Sequence, residues 1–228
     1  MSYSFGKSIV TDGLVFYVDA ANGNSYSGSG TTWSDLVGNT DGTLKNTPTF
    51  DSGDGGSFYF NGSNEYTDIK SLVIPANITV SAWINPSATT SAGQILTSDD
   101  SAVSIRNWQF LMEADNKIRA IGFHTSGNQN LQFVTTDTIP DDTWTMVSFT
   151  SDGTNIKIQF NGVEKATGSF PYSLLGNGST GDALIGARKS SSLAAFFNGK
   201  IAVVQVYDRA LSSTEILQNY NALKNRFI

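Results

Sequence analysis

Asn-Gly turns set between short alternating runs constrain this chain more than any other feature. An Asn-Gly pair supplies the two positive-φ residues of a tight type I′ hairpin. Phe-Asn-Gly occurs three times, at Phe60-Asn61-Gly62, Phe160-Asn161-Gly162 and Phe197-Asn198-Gly199, while Asp115-Asn116 and Asp152-Gly153 separate other runs. The runs themselves have period two. Ile78, Val80 and Ala82 alternate with Thr79, Ser81 and Trp83, Met146, Ser148 and Thr150 alternate with Val147, Phe149 and Ser151, and Phe58 and Phe60 flank Tyr59. Ile156, Ile158 and Phe160 form one face of a further run. Such runs read as half-buried antiparallel strands. No βαβ spacing appears, which sets parallel architectures aside.

Ser, Thr, Asn and Gly make up 92 of the 228 residues, a share that could signal disorder. The 14 Phe, 8 Tyr and 4 Trp spread along the chain argue instead for a packed core with many turns. The segment from Asn22 to Gly56 alternates least. Trp33 and Leu36 look like anchors for a loop excursion there, and short strands or turns are expected within it. No linker divides the chain. One domain over residues 13–228, preceded by a segment 1–12, is the expected organisation.

One helix is legible, over about 212–224. Ser212-Ser213-Thr214-Glu215 reads as a capping box, and Leu211 can staple onto Ile216. Ile216, Tyr220 and Leu223 then form one apolar stripe that must pack on the sheets, and Lys224 and Arg226 suit the negative end of the helix dipole.

Composition excludes much chemistry. With no Cys there are no disulfides, thiol nucleophiles or Cys-type zinc sites, and a single His, His124, leaves no multi-His metal site. A net charge of -6 argues against a nucleic-acid partner. No run approaches a membrane span, and the amino terminus lacks the apolar stretch of an export signal. Asn-x-Ser/Thr at Asn61, Asn77 and Asn177 reads as an accident of composition.

The order of these elements resembles the laminin G-like jelly rolls of the concanavalin A-like lectin/glucanase superfamily. The resemblance rests on Gly13-Leu-Val-Phe-Tyr-Val-Asp19, Phe60-Asn-Gly-Ser-Asn-Glu-Tyr66, Ile78-Thr-Val-Ser-Ala-Trp-Ile84, Trp144-Thr-Met-Val-Ser-Phe149 and the long run from Phe197 to Ser212. It implies an all-β, antiparallel two-sheet jelly-roll sandwich of about a dozen strands with one short C-terminal α-helix. Ile9-Val-Thr-Asp-Gly-Leu-Val15 and Leu217-Gln-Asn-Tyr-Asn-Ala-Leu-Lys224 are similar to stretches of tailed-bacteriophage virion proteins. That second resemblance implies a non-catalytic capsid-decoration or tail-associated module, located on the virion in homo-oligomeric display, with other virion subunits as partners and a host-surface glycan as a further one. The alternatives are a carbohydrate-binding lectin module at a cell surface or outside the cell, and a glycoside hydrolase.

Hydrolases of this superfamily carry Glu-x-Asp-x-x-Glu on one strand. Here Glu113-Ala114-Asp115 supplies two letters and Ile118 stands where the third would fall, with Asp115-Asn116 expected as a turn. No catalytic residue is therefore assigned. No cofactor is assigned either. Calcium is the one that the family allows, but Asp51/Asp54, Asp99/Asp100 and Asp141/Asp142 lack the spacing of a dedicated loop, and Ala202 stands where many relatives carry an Asp. Sugar recognition would use aromatics beside amides and hydroxyls. The candidates are Trp33, Trp108, His124, Asn128, Gln129, Asn130, Tyr172 and Phe196, with Trp83 and Trp144 expected in the core. Leu193 to Phe197 is either an exposed contact patch or the start of the last long strand.

Overall fold

The computed structural model describes residues 8–38, 40–100, 105–123, 130–171, 179–189 and 192–228, without the side chains of 54, 74, 100, 105, 106, 130, 179 and 180. Within these residues eighteen strand segments form two sheets. The first comprises β1 (Leu14–Asp19), β4 (Thr49–Asp51), β5 (Ser57–Asn61), β7 (Ile78–Pro86), β12 (Thr145–Ser151), β13 (Asn155–Phe160), β14 (Val163–Ser169) and β18 (Asn198–Tyr207). Their order is β14-β13-β12-β7-β18-β5-β4, with β1 also on β18. The second comprises β2 (Thr32–Trp33), β3 (Gly42–Lys45), β6 (Tyr66–Ile74), β8 (Gly93–Asp100), β9 (Ile105–Met112), β10 (Lys117–Phe123), β11 (Asn130–Thr138) and β15 (Ser179–Ile185). Its order is β11-β10-β9-β8-β15-β6-β3-β2, and a two-residue ribbon of β16 (Arg188–Lys189) and β17 (Leu193–Ala194) joins it at β8. Pairing is antiparallel except where Lys189 meets Asp100. The strand count exceeds the expected dozen because the Asn22 to Gly56 excursion and the ribbon contribute very short strands.

The Asn-Gly signals do three different things. Asn161 and Gly162 both take positive φ, 52° and 82°, and close the β13–β14 hairpin as expected. Asp115-Asn116 and Asp152-Gly153 likewise turn β9 into β10 and β12 into β13. Asn61-Gly62 is no hairpin. It is the corner where the chain leaves the first sheet for the second, with the Asn61 carboxamide accepting from the Ser63 and Asn64 amides at 2.9 and 3.1 Å. Asn198-Gly199 instead opens β18, where a Cβ at residue 199 would lie 2.5 Å from the Asn85 carbonyl oxygen. Glycine is needed there for close approach rather than for a turn.

Two apolar layers result. Between the sheets lie Phe16, Phe58, Phe60, Trp33, Trp108, Phe110, Phe149, Ile158 and their neighbours. A second layer lies on the outer face of the first sheet, where Trp83, Trp144, Met146, Val203 and Tyr207 meet Val10, Ile216 and Phe227. β7 and β12 are therefore buried on both faces, not half-buried as their alternation implies. The cover is α1 (Ser213–Leu223) with a 3-10 turn at Lys224–Arg226. Trp83 stacks on Phe227 and Tyr220 at ring-centroid distances of 4.3 and 5.8 Å. Asn219, fully buried, accepts from the Val10 amide and donates to the Tyr207 hydroxyl, tying helix, amino-terminal segment and β18 together.

The capping box forms as read, with Ser212 and Glu215 bonding reciprocally. Leu211 and Ile216 share the outer layer, consistent with the staple. The cations behave differently from the dipole reading. α1 has no basic residue in its last turn, and Arg226 reaches back to Asp19 through two hydrogen bonds of 3.0 and 2.8 Å. Arg209 grips both oxygens of Glu215 at 3.1 and 2.6 Å. That bond, reinforced by the Ser212 amide, lowers the Glu215 pKa to about 2 from an ordinary 4.5. A carboxylate with a depressed folded-state pKa stabilises the fold above its unfolded value and loses that contribution as pH falls. Wild type should exceed Glu215→Gln in urea-melt stability near neutrality. The difference should disappear as pH drops from about 4.5 to about 2.

Candidate functional site

With α1 on the first sheet, the outer face of the second carries no helix among the described residues. Register places one side-chain row across it: Gln132, Ile121, Gln109, Thr97, Leu184, Asp68 and Thr43, one from each of seven strands. Beside it runs Val134, Arg119, Leu111 and Gln94. Alternation on β9 explains the arrangement: Trp108, Phe110 and Met112 enter the core, so Gln109 and Leu111 must face out.

A cavity of about 310 Å³ opens on this face, lined by Gln94, Gln109, Leu111, Glu113, Arg119, Ile121, Phe123, Gln132, Arg188, Ala92 and Ala195. Its apolar part is Leu111, Ile121 and Phe123, packed with Ala92 apart from the main core. Its polar part is a linked network. Gln94 Nε2 donates to Gln109 Oε1 at 3.3 Å, and Gln109 Nε2 donates to Asp99 Oδ2. Arg119 pairs with Glu113 and donates from Nη1 to Gln132 Oε1 at 3.0 Å. Gln94, Gln109 and Asp99 are all buried, yet Gln94 Oε1 has no partner among the described residues. The ribbon supplies Arg188, and the Gln94 amide donates to the Ala195 carbonyl at 2.9 Å, which pins the ribbon's exit to β8.

A second cavity, about 210 Å³, is lined by Tyr66, Asp68, Lys70, Leu184, Lys189, Ser192 and Leu193. Lys70 bridges Asp182 at 2.6 Å and Asp68 at 3.2 Å, and those carboxylates raise its pKa.

Of the expected sugar-contacting residues, Trp33, Trp108 and Phe196 have described side chains, and none of them lines the first cavity. Trp33 and Trp108 are fully buried between the sheets, Trp33 edge-on to Phe58 and Trp108 against Phe149, so neither offers a ring face to a ligand. Phe196 is half-buried against Tyr66, near the second cavity. His124, Asn128, Gln129 and Tyr172 lie outside the described residues, as does the side chain of Asn130. Trp83 and Trp144 are buried as expected, beneath α1. The run from Leu193 does not start the last long strand, since β18 begins at Asn198; it forms the ribbon's return arm, with Leu193 exposed and Phe197 buried.

Carboxylates on this face are engaged rather than poised. Asp115 sits at the β9–β10 turn, where Lys117 at 2.7 Å holds its carboxyl below the usual range. A glycosidase acid needs the opposite shift. Among the described residues the carboxyl group raised by burial is Glu65, and it accepts from the Asn61 amide at the inter-sheet corner. Asp51, one of the acids weighed for calcium, accepts from Lys200 at 2.6 Å. No three His, Cys, Asp or Glu side chains come together among the described residues.

The architecture and its open sheet define a lectin-like jelly roll. A laminin G-type family model, described as concanavalin A-like lectin/glucanases superfamily, matches residues 60–217, and the chain belongs to that superfamily. No curated protein matches the sequence. Among solved structures, the binding domain of Paraclostridial Mosquitocidal Protein 1 superposes with a TM-score of 0.71 at 16% identity, over 93% of this chain and 53% of that one. Domain 4 of AbnA, a GH43 extracellular arabinanase from Geobacillus stearothermophilus in complex with arabinotriose, gives 0.66 at 21% identity, over 91% and 98%. The binding domain of Botulinum Neurotoxin DC in complex with SialylT gives 0.66 at 12%, over 93% and 52%. The chain thus spans about half the length of the toxin domains it matches.

Ile118 and Ile121 sit on one strand and face opposite ways. Ile118→Ala should cost about 2–5 kcal/mol in urea melts, as for a core cavity. Ile121→Ala, at the groove wall, should cost less, and a reversed order would contradict this assignment of faces.

Proposed function

We propose that the chain is a non-catalytic, glycan-recognising adhesion module whose binding surface is the groove on the second sheet. The observation that carries this reading is the pairing of an apolar wall, Leu111, Ile121 and Phe123, with the amide and guanidinium groups of Gln94, Gln109, Arg119 and Gln132. A sugar ring has an apolar face and a rim of hydroxyls, and matches such a surface. The arabinotriose complex of the arabinanase domain and the SialylT complex of the neurotoxin domain support it by analogy of fold. The engaged carboxylates support binding without turnover. The setting proposed is the surface of a bacteriophage virion, from the similarity of the segments 9–15 and 217–224 to virion proteins, with the module held on other subunits and its groove presented to a host glycan.

On a glycan array the protein should retain a defined set of oligosaccharides, and incubation with them should release no reducing sugar. Phe123→Ala and Gln109→Ala should each weaken binding about tenfold or more, the worth of one good contact. Sugar release lost in Glu113→Gln would overturn the non-catalytic reading. The proposal includes no metal ion, so a chelator should leave the melting temperature unchanged.

A further inference from the structure

The cations of the groove are unequally satisfied. Arg119 is neutralised by Glu113 and bonded to Gln132. Arg188 lines the same cavity from the ribbon, enters no ion pair among the described residues, and has a buried Nε without an acceptor. Next to its ribbon strand the return arm bonds β8 at Gln94, a residue 2% exposed whose Oε1 also lacks a partner among the described residues. A half-buried guanidinium left without an anion is costly, because its desolvation goes uncompensated. Beside it, the Gln94 carboxamide oxygen is buried without a donor among the described residues. A ligand that completes both groups carries an anion and a neighbouring hydroxyl on one rigid frame.

We propose that the groove selects a carboxylate-bearing sugar, a uronic or sialic acid residue, with Arg188 binding the carboxylate and the Gln94 side chain accepting from a ring hydroxyl. The inference rests on the glycan-binding reading and adds the charge of the ligand to it. A planar carboxylate fits the two parallel donors of a guanidinium. The ring carrying it then lies against Ile121 and Phe123. Since the chain as a whole carries a net charge of -6, its overall field repels an acidic glycan, and the preference has to come from this local contact.

The test measures calorimetric affinity for 3′-sialyllactose and a trigalacturonate, each beside its carboxylate methyl ester, with lactose and arabinotriose as neutral sugars. At least one acid should bind about tenfold or more tighter than its ester, the scale of a charge-assisted hydrogen-bond pair. Arg188→Gln should erase that preference while leaving ester affinity in place, and Arg188→Lys should restore part of it. Unchanged ester binding, with an unchanged melt, separates loss of the contact from loss of the fold. Esters or neutral sugars bound as well as acids would overturn the charge assignment and leave the glycan reading standing. Preference for acids that survives Arg188→Gln would overturn the role of Arg188. Failure of every sugar to bind would overturn the glycan reading and this inference with it.

Discussion

Trp83 stacks on Phe227 and Tyr220, and Asn219 ties the same helix to Val10 and Tyr207; this packing closes the outer face of the first sheet. A sandwich has two outer faces, and the second has no such helical cover among the described residues. The cover is held at its far end by the Arg226 to Asp19 contact, where Tyr17 also donates to Asp19 at 3.1 Å and burial pushes the Tyr17 hydroxyl pKa upward. Tail, helix and first strand therefore act as one lid whose packing replaces water on the three central strands.

This lid explains where alternation misleads. Thr79, Ser81, Ser148 and Thr150 read as a solvated face, and in the fold they are buried, with Thr79 donating to the Arg209 carbonyl and accepting from the Leu211 amide. Alternation reports which residues share a face. It does not say whether a helix distant in sequence will cover that face. The architecture, the capping box and the terminal helix were legible because each is local: a turn, a cap, a stripe. The Asn61-Gly62 and Asn198-Gly199 sites share a dipeptide with the true hairpin at Asn161-Gly162, but their roles depend on strands that arrive from elsewhere, β6 and β7, which no dipeptide encodes.

The groove was less legible for the same reason. Trp33 and Trp108 attract attention as aromatic platforms, but Trp108 shares parity with Phe110 and Met112, and that parity places it inside. The residues that do line the groove, Gln94, Gln109, Arg119, Gln132 and Arg188, come from five different strands. Each alone looks like an ordinary surface residue. Outward parity on β9 was the available signal, and it pointed to Gln109 and Leu111. Arg188 had none, since its two-residue strand exists only through pairing with Leu193–Ala194 and its placement beside β8.

The polar network also limits what the groove can do. Buried amides bonded to one another and to Asp99 hold fixed rotamers, since each lost bond in a poorly solvated site costs more than it would in water. A fixed array suits recognition, where preorganisation reduces the ordering cost of binding. Acid-base catalysis by a carboxyl pair asks for something else, a proton held near the operating pH by burial or a like charge. Glu113 is held in an ion pair with the Arg119 guanidinium, and the Lys117 ammonium favours the ionised form of Asp115. Among the described residues Arg188 is the groove cation without a counterion, and on the reading proposed above it is the group left to meet a ligand's charge.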